Sequence, residues 1–337
     1  MEFKVDGFFN WLYQNLAMKE NALEASSIEQ FAAVKSQKRS ELKKRLGIDR
    51  LEAINHPVSV ETFGIQEFSD YTIESLSMEI LPFLKMSFYV VRPEANARKS
   101  NNGSEKAILY CHGHGKGGCR DCFEIREPRA YHKNIPLTLA KRGYTVFMFE
   151  PVGFGDFKMD SFKQPEESGC YAISTQLLMY GMTALGLRIF QAMKLTDYML
   201  DKYKISDFAT LGISGGGTVC SLYAAFDDRM KANVISCYTN MFKDSIMAMH
   251  HCVDNFVPDI LSIGEMPHII SLAFPKPMFL SCGKNDPIYP LHGAEKSIEF
   301  IKRIYGKSHM ADKIEVEIFD GVHEFSEGFI DWLDRIL

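Results

Sequence analysis

Between residues 8 and 46, apolar side chains recur at three- and four-residue steps among charges of both signs: Phe8, Leu12 and Leu16, then Ile28, Phe31 and Val34. A stripe on the 3.6-residue period predicts helices that bury one face. We assign residues 1–55 to an N-terminal helical segment that packs on the main body or on a second subunit. Its mixed charges do not fit a helix lying on a membrane surface. From about residue 57 the period shortens to two. Val58–Phe63, Tyr71–Leu81 and Met86–Val91 are predicted strands, the last ended by Pro93.

Beyond a polar loop at 95–106 the two periods alternate. Ala107–Cys111, Tyr144–Phe149, Phe208–Ile213, Ala232–Cys237, Pro277–Cys282 and Lys313–Phe319 are strand-like. Ile135–Arg142, a long stretch near Ser174–Leu200, the run after Ser214, Gly293–Ile304 and Phe325–Leu337 are helical. This alternation predicts an α/β domain over residues 56–337, with a mostly parallel twisted sheet flanked by helices on both faces. Residues 239–276, with Met241, Met247, Met249, Phe256 and Ile260, break the alternation and are expected to cover the site as a lid or wall.

Composition narrows the possibilities. A net charge of −5 and a pI near 6.1, without basic clusters, give no field to draw in nucleic acid. No apolar run approaches the roughly 20 residues of a membrane span, and the first residues lack the basic, apolar and small-residue order of a leader. A cytoplasmic protein is expected. Eight cysteines at irregular spacing, several in strand-like runs, read mostly as buried, reduced thiols.

The candidate chemistry centres on Gly212-Ile213-Ser214-Gly215-Gly216, which stands where an apolar strand gives way to a helix. A serine thrust out on such a strained turn crowds the backbone around it, so glycines two before and two after are required by space. The hydroxyl needs an imidazole to take its proton, and the imidazole needs an acid to fix its tautomer. In chain order these are Asp286, in Gly283-Lys284-Asn285-Asp286-Pro287 after one strand, and His323, in Asp320-Gly321-Val322-His323-Glu324 after the next. Both fall at the carboxyl edge of the sheet, where open α/β sheets hold their sites. His292, His309, His250 and His251 are rival bases, in or beside a helix or in the covering segment.

An oxyanion hole needs two backbone N–H groups. Gly215 supplies one. The loop His112-Gly113-His114-Gly115-Lys116-Gly117-Gly118 supplies the other, assigned to His114 with Gly115 as alternative. As a phosphate cradle this loop fails, because Lys116 precedes Gly117 where Ser or Thr is needed. Cys119 and Cys122 form a C-x-x-C near His112 and His114, but with no second such pair no metal is assigned. No cofactor is expected.

These residues carry a resemblance to the α/β-hydrolase superfamily, and within it to dienelactone-hydrolase-like and acetylxylan-esterase-like bacterial esterases. It runs from about residue 105 to the C-terminus. Further matching stretches are Lys141-Arg142-Gly143-Tyr144 leading to Glu150-Pro151-Val152-Gly153-Phe154-Gly155, Ala225-Phe226-Asp227-Asp228-Arg229, and His251-Cys252-Val253-Asp254-Asn255-Phe256-Val257-Pro258. Glu150 stands where relatives often carry Asp, and Val322 replaces a glycine that often precedes the histidine. The resemblance implies ester hydrolysis through an acyl-enzyme, with a small-molecule ester as substrate. A peptidase, amidase or thioesterase on the same fold, or a silent ligand-binding hydrolase fold, are the alternatives. The N-terminal helices are the candidate surface for a homo-oligomer.

Overall fold

The computed structural model describes residues 5–18, 28–101, 103–115, 117–124, 131–160 and 169–337. The chain opens with helices α1 (Asp6–Leu16), α2 (Ile28–Leu46) and α3 (Ile48–Glu52), then strands β1 (Ser59–Glu67), β2 (Tyr71–Leu81), β3 (Leu84–Pro93), β4 (Ser100–Asn101) and β5 (Ser104–Cys111). Short helices α4 (Arg120–Phe123) and α5 (Ile135–Lys141) lead to β6 (Thr145–Phe149), followed by α6 (Cys170–Met179), α7 (Ala184–Lys202), β7 (Ile205–Ile213), α8 (Gly215–Phe226) and β8 (Ala232–Ser236). Last come α9 (Ile260–Ile263), α10 (Met266–Ser271), β9 (Met278–Gly283), α11 (Leu291–Gly306), β10 (Ile314–Phe319) and α12 (Gly328–Ile336).

One sheet runs in the order β1-β2-β3-β6-β5-β7-β8-β9-β10, with β4 paired to β5. From β6 to β10 neighbouring strands are parallel; β1, β2, β3 and β6 pair antiparallel. A parallel strand is covered on both faces and so reads as a continuous apolar run. Along β5 the pleat sends Ala107, Leu109 and Cys111 into one core and Ile108 and Tyr110 into the other. The first core takes in α7, α8, α10 and α11; the second is closed by α5 and α12.

The helical stretch predicted near Ser174–Leu200 is two helices. After α6, Gly181 adopts φ 69° and the N–H of Met182 bonds back to the carbonyl of Leu177 at 3.0 Å, a left-handed terminus that ends a helix. Thr183 then starts α7, its Oγ1 accepting the N–H of Gly186 at 2.9 Å. Periodicity runs across this break because the helices before and after it are both apolar.

The N-terminal helices divide sharply. Phe31, Leu42 and Leu46 of α2 and Ile48 and Leu51 of α3 belong to the first core. Helix α1 buries none of its residues and leaves Phe8, Phe9 and Trp11 exposed. Contacts that tether it include the Tyr13 hydroxyl on Glu265 (2.8 Å) and, just after the helix, the Met18 N–H on the Leu261 carbonyl (2.8 Å). Residues 19–27 of the N-terminal segment lie outside the described residues. Among the described residues no helix is long and apolar enough to cross a membrane.

The stretch between β8 and β9 also divides. Phe242, Ile246, Ile263, Met266, Ile269 and Ile270 are core. Met247, Met249 and Phe256 stay exposed, while Asp254 and Asn255 are buried. Within it, His251 lies against Tyr289 and Asp254 against His114.

Candidate active site

Strand β7 ends at Ile213 and α8 begins at Gly215, so Ser214 is the whole turn between them. It has φ 56° and ψ −124°, a backbone region that L side chains rarely occupy. Crowding accounts for both glycines. A Cβ on Gly216 would fall on the carbonyl of Cys111, and one on Gly212 on the carbonyl of Gly216. The Ser214 N–H is spent on the carbonyl of Ser236 at 3.0 Å, which ties the turn to β8.

Asp286 and His323 follow the carboxyl ends of the adjacent parallel strands β9 and β10. The Nδ1 of His323 lies 2.7 Å from Oδ2 of Asp286, whose side chain is buried. The other carboxylate oxygen accepts the N–H groups of Ile288 (2.8 Å) and Tyr289 (3.1 Å). The Tyr289 ring stacks on that of His323, at 5.8 Å and 20°. The imidazole is thus held at one nitrogen and along one face, leaving Nε2 to act.

Facing Ser214, the loop after β5 crosses the start of α8. A Cβ on Gly113 would lie 3.0 Å from the Cβ of Ser214, and one on Gly215 would lie 2.9 Å from Nδ1 of His114. Among the described residues neither the His114 nor the Gly215 N–H makes a hydrogen bond within the protein. Both are available to an oxyanion. Lys116 lies outside the described residues. Tyr131, which carries no signal in the sequence, joins the two sides: its hydroxyl donates to the His114 carbonyl at 2.7 Å and its ring lies 5.8 Å from that of His323.

The two histidines of this loop part company. His112 is fully buried, its Nδ1 2.7 Å from the carbonyl of Gly113 and its Nε2 3.3 Å from Oε1 of Glu150. Its ring groups with Cys122 and His132, and with Cys119 and Glu150, so the C-x-x-C gathers around His112 alone. His114 turns the other way. Its Nε2 is 3.0 Å from Oδ2 of Asp254, which also pairs with Nη1 of the buried Arg188. Burial by itself would lower the His114 pKa, but the Asp254 carboxylate overrides it and raises it to about 9. Burial would likewise raise Asp254, and Arg188 together with His114 holds it well below the usual carboxylate range. Arg188 further donates to the carbonyl of Val152 and, at 3.2 Å, to Sγ of Cys170. Asp254 and Cys252 were legible only as part of a resembling stretch; Arg188 and Cys170 carried no signal.

Of the rival bases, His292 is exposed on α11 and faces Asp244 at 3.8 Å, and His309 occupies a turn behind that helix. His251 packs its ring 5.7 Å from Tyr289, at the edge of the site. A separate apolar cavity of about 360 Å³ lies between α1 and residues 242–262, lined by Phe9, Leu12, Phe242 and Phe256 among others, and contains none of the residues just described.

No family model matches the chain. "Putative hydrolase YtaP" of Bacillus subtilis (strain 168) is 26% identical over 265 residues, spanning 76% of this chain and 84% of that one. Among solved structures, a "putative acetyl xylan esterase" from Bacteroides fragilis NCTC 9343 superposes with a TM-score of 0.75 at 15% identity, over 100% of this chain and 96% of that one. Methylesterase BT1017 gives 0.71 at 20% identity, over 98% of this chain and 67% of that one. The acetyl xylan esterase of Paenibacillus sp. R4 gives 0.61 at 17%, over 90% and 99%. The shared feature is the α/β-hydrolase fold, with its large sheet between layers of helices.

Proposed function

We propose that the protein is a serine hydrolase of carboxylic esters with short acyl groups, acetyl groups on a carbohydrate among them. The observation that carries this reading is the buried Asp286 carboxylate bound to Nδ1 of His323, at the sheet edge where Ser214 is thrust forward on its turn. Ser214 attacks the ester carbonyl while Nε2 of His323 takes its proton. The N–H groups of Gly215 and His114 receive the negative charge that grows on the carbonyl oxygen. His323 then protonates the leaving alcohol and draws a proton from the water that releases the acyl group. None of these steps calls for a metal or cofactor.

The neighbouring folds support the substrate class: a methylesterase and two proteins described as acetyl xylan esterases share this architecture. A reducing, cytoplasmic setting agrees with eight cysteines that are all thiols, seven of them buried. The exposed Phe8, Phe9 and Trp11 of α1 support a homo-oligomer formed through that helix. The test of function is hydrolysis of p-nitrophenyl esters from acetate to octanoate by wild type and Ser214→Ala. Turnover of the short esters that vanishes in the variant upholds the reading. Turnover that survives the substitution, or none on any ester, overturns it.

A further inference from the structure

Beside His114, on the side away from Ser214, two cysteines meet two cations and a carboxylate. Cys170 is the first residue of α6, where the helix dipole favours negative charge. Its sulfur lies 3.2 Å from Nη2 of Arg188 and 4.0 Å from Nε2 of His114. The ligating atoms of Cys170, Cys252, His114 and Asp254 all fall within 4.8 Å of one another.

We propose that Cys170 is a peroxide-reactive nucleophile that couples to Cys252 as a disulfide, and that this bond transmits an oxidising environment to the hydrolytic centre through His114. The coupling to hydrolysis rests on the function proposed above; the thiol chemistry does not. Several donors aimed at one sulfur are what a thiolate accepts. The S–H of Cys252 and the donors on His114 and Arg188 outweigh burial and hold the Cys170 thiol well below the usual range, whereas Cys252 is pushed up. Elsewhere burial raises Cys119, Cys122, Cys220, Cys237 and Cys282, which leaves them protonated and inert. Cys170 is itself buried, with Cys252 and His114 beside it partly exposed. A cation held by the same four ligands fits poorly, because Arg188 already contacts both Cys170 and Asp254 and His114 is protonated.

The chemistry balances with hydrogen peroxide as oxidant. The Cys170 thiolate attacks one peroxide oxygen, the O–O bond breaks, hydroxide leaves, and a sulfenic acid remains. The Cys252 sulfur then attacks the sulfenic sulfur. Its proton goes to the departing hydroxyl, which leaves as water, and the S–S bond forms. Two thiols are oxidised and the peroxide is reduced to two waters, counting the proton that the first hydroxide takes up. The disulfide removes the negative sulfur beside Arg188 and His114, and so alters the charge and seating of the ring that lies against Gly215.

The test is hydrogen peroxide on the whole chain at neutral pH, read by mass spectrometry of the cysteine peptides and by ester turnover. An ordinary thiol of pKa about 8.5 is about 3% ionised at pH 7 and loses about tenfold in rate per pH unit below that, whereas the rate at Cys170 is expected to hold nearly level from pH 7 to about pH 6. The Cys170–Cys252 peptide is expected before oxidation of the other cysteines, with turnover falling in step and returning with dithiothreitol. Cys252→Ser is expected to begin with unchanged turnover and to stop at a sulfenic acid on Cys170 that dimedone traps. If that variant does not fold, the pH dependence of iodoacetamide labelling of wild-type Cys170 reads its thiolate character. Labelling of Cys170 that falls about tenfold between pH 7 and pH 6, as at an ordinary thiol, or no bond to Cys252, overturns the thiol chemistry. A mapped disulfide with undiminished turnover overturns the coupling to hydrolysis. The disulfide in a chain that hydrolyses no ester upholds the thiol chemistry while the proposed function falls.

Discussion

Two histidine–aspartate pairs stand on either side of Ser214, and their surroundings give them different uses. Asp286 is held by two backbone N–H groups and by His323 at 2.7 Å. Those amides hold the carboxylate without adding net charge, and the carboxylate in turn fixes the ring by Nδ1. Asp254 is held by the Arg188 guanidinium and by His114 at 3.0 Å, next to Cys170 and Cys252. There the ring is a resident cation, useful for steadying negative charge and unsuited to accept a proton. Two His–Asp contacts of similar length thus differ in the counter-charges behind the acid.

The comparison breaks most sharply at the first pair. Ser214→Ala and His323→Ala are each expected to lower kcat by roughly 10⁵- to 10⁶-fold, measured on p-nitrophenyl acetate. Asp286→Asn keeps the shape but not the tautomer control, and an expected loss of about 10⁴ in kcat would mark it as the orienting acid. If Asp254→Asn cost turnover as heavily as Asp286→Asn, the distinction between the pairs would be lost. Its expected main effect is on stability instead. It leaves Arg188 buried with part of its charge uncompensated, at a cost of about 3–5 kcal/mol in urea unfolding.

A smaller effect sharpens the contrast. Ring NMR of His114 is expected to show a midpoint near 9 in wild type, falling in Asp254→Asn, where only the contact with Cys170 still opposes burial. A pKa raised in the folded state contributes stability that is complete below about pH 6.5 and is lost as pH rises through about 9. The stability advantage of wild type over His114→Gln should therefore shrink across that window. With solvent screening of the half-buried ring, the change is on the order of 1–2 kcal/mol.

The first pair was legible because its signals are local. Each of Ser214, Asp286 and His323 sits a few residues beyond a strand, and consecutive parallel strands deliver the turns at their carboxyl ends to one edge. Gly212 and Gly216 are readable for the same reason, since the atoms they avoid belong to the same turn or to the neighbouring strand. The second pair gives no such signal. Asp254 is 140 residues from His114 and 66 from Arg188, and nothing in the spacing of either contact reports it. Where α6 ended and α7 began was hidden by apolar sequence on both sides of Gly181, and was decided by its left-handed backbone and by the Thr183 cap.

The sequence by itself determined the period of each element, the order in which strands and helices alternate, and hence the edge of the sheet at which its turns gather, because these depend on neighbours along the chain. Only the tertiary structure decided that His112 faces inward to Glu150 while His114, two positions later, turns outward to Asp254. It likewise decided that α2 and α3 join the core while α1 lies on the surface. Burial and counter-charge are set by residues distant in sequence, and at His114 they decide the charge of the ring.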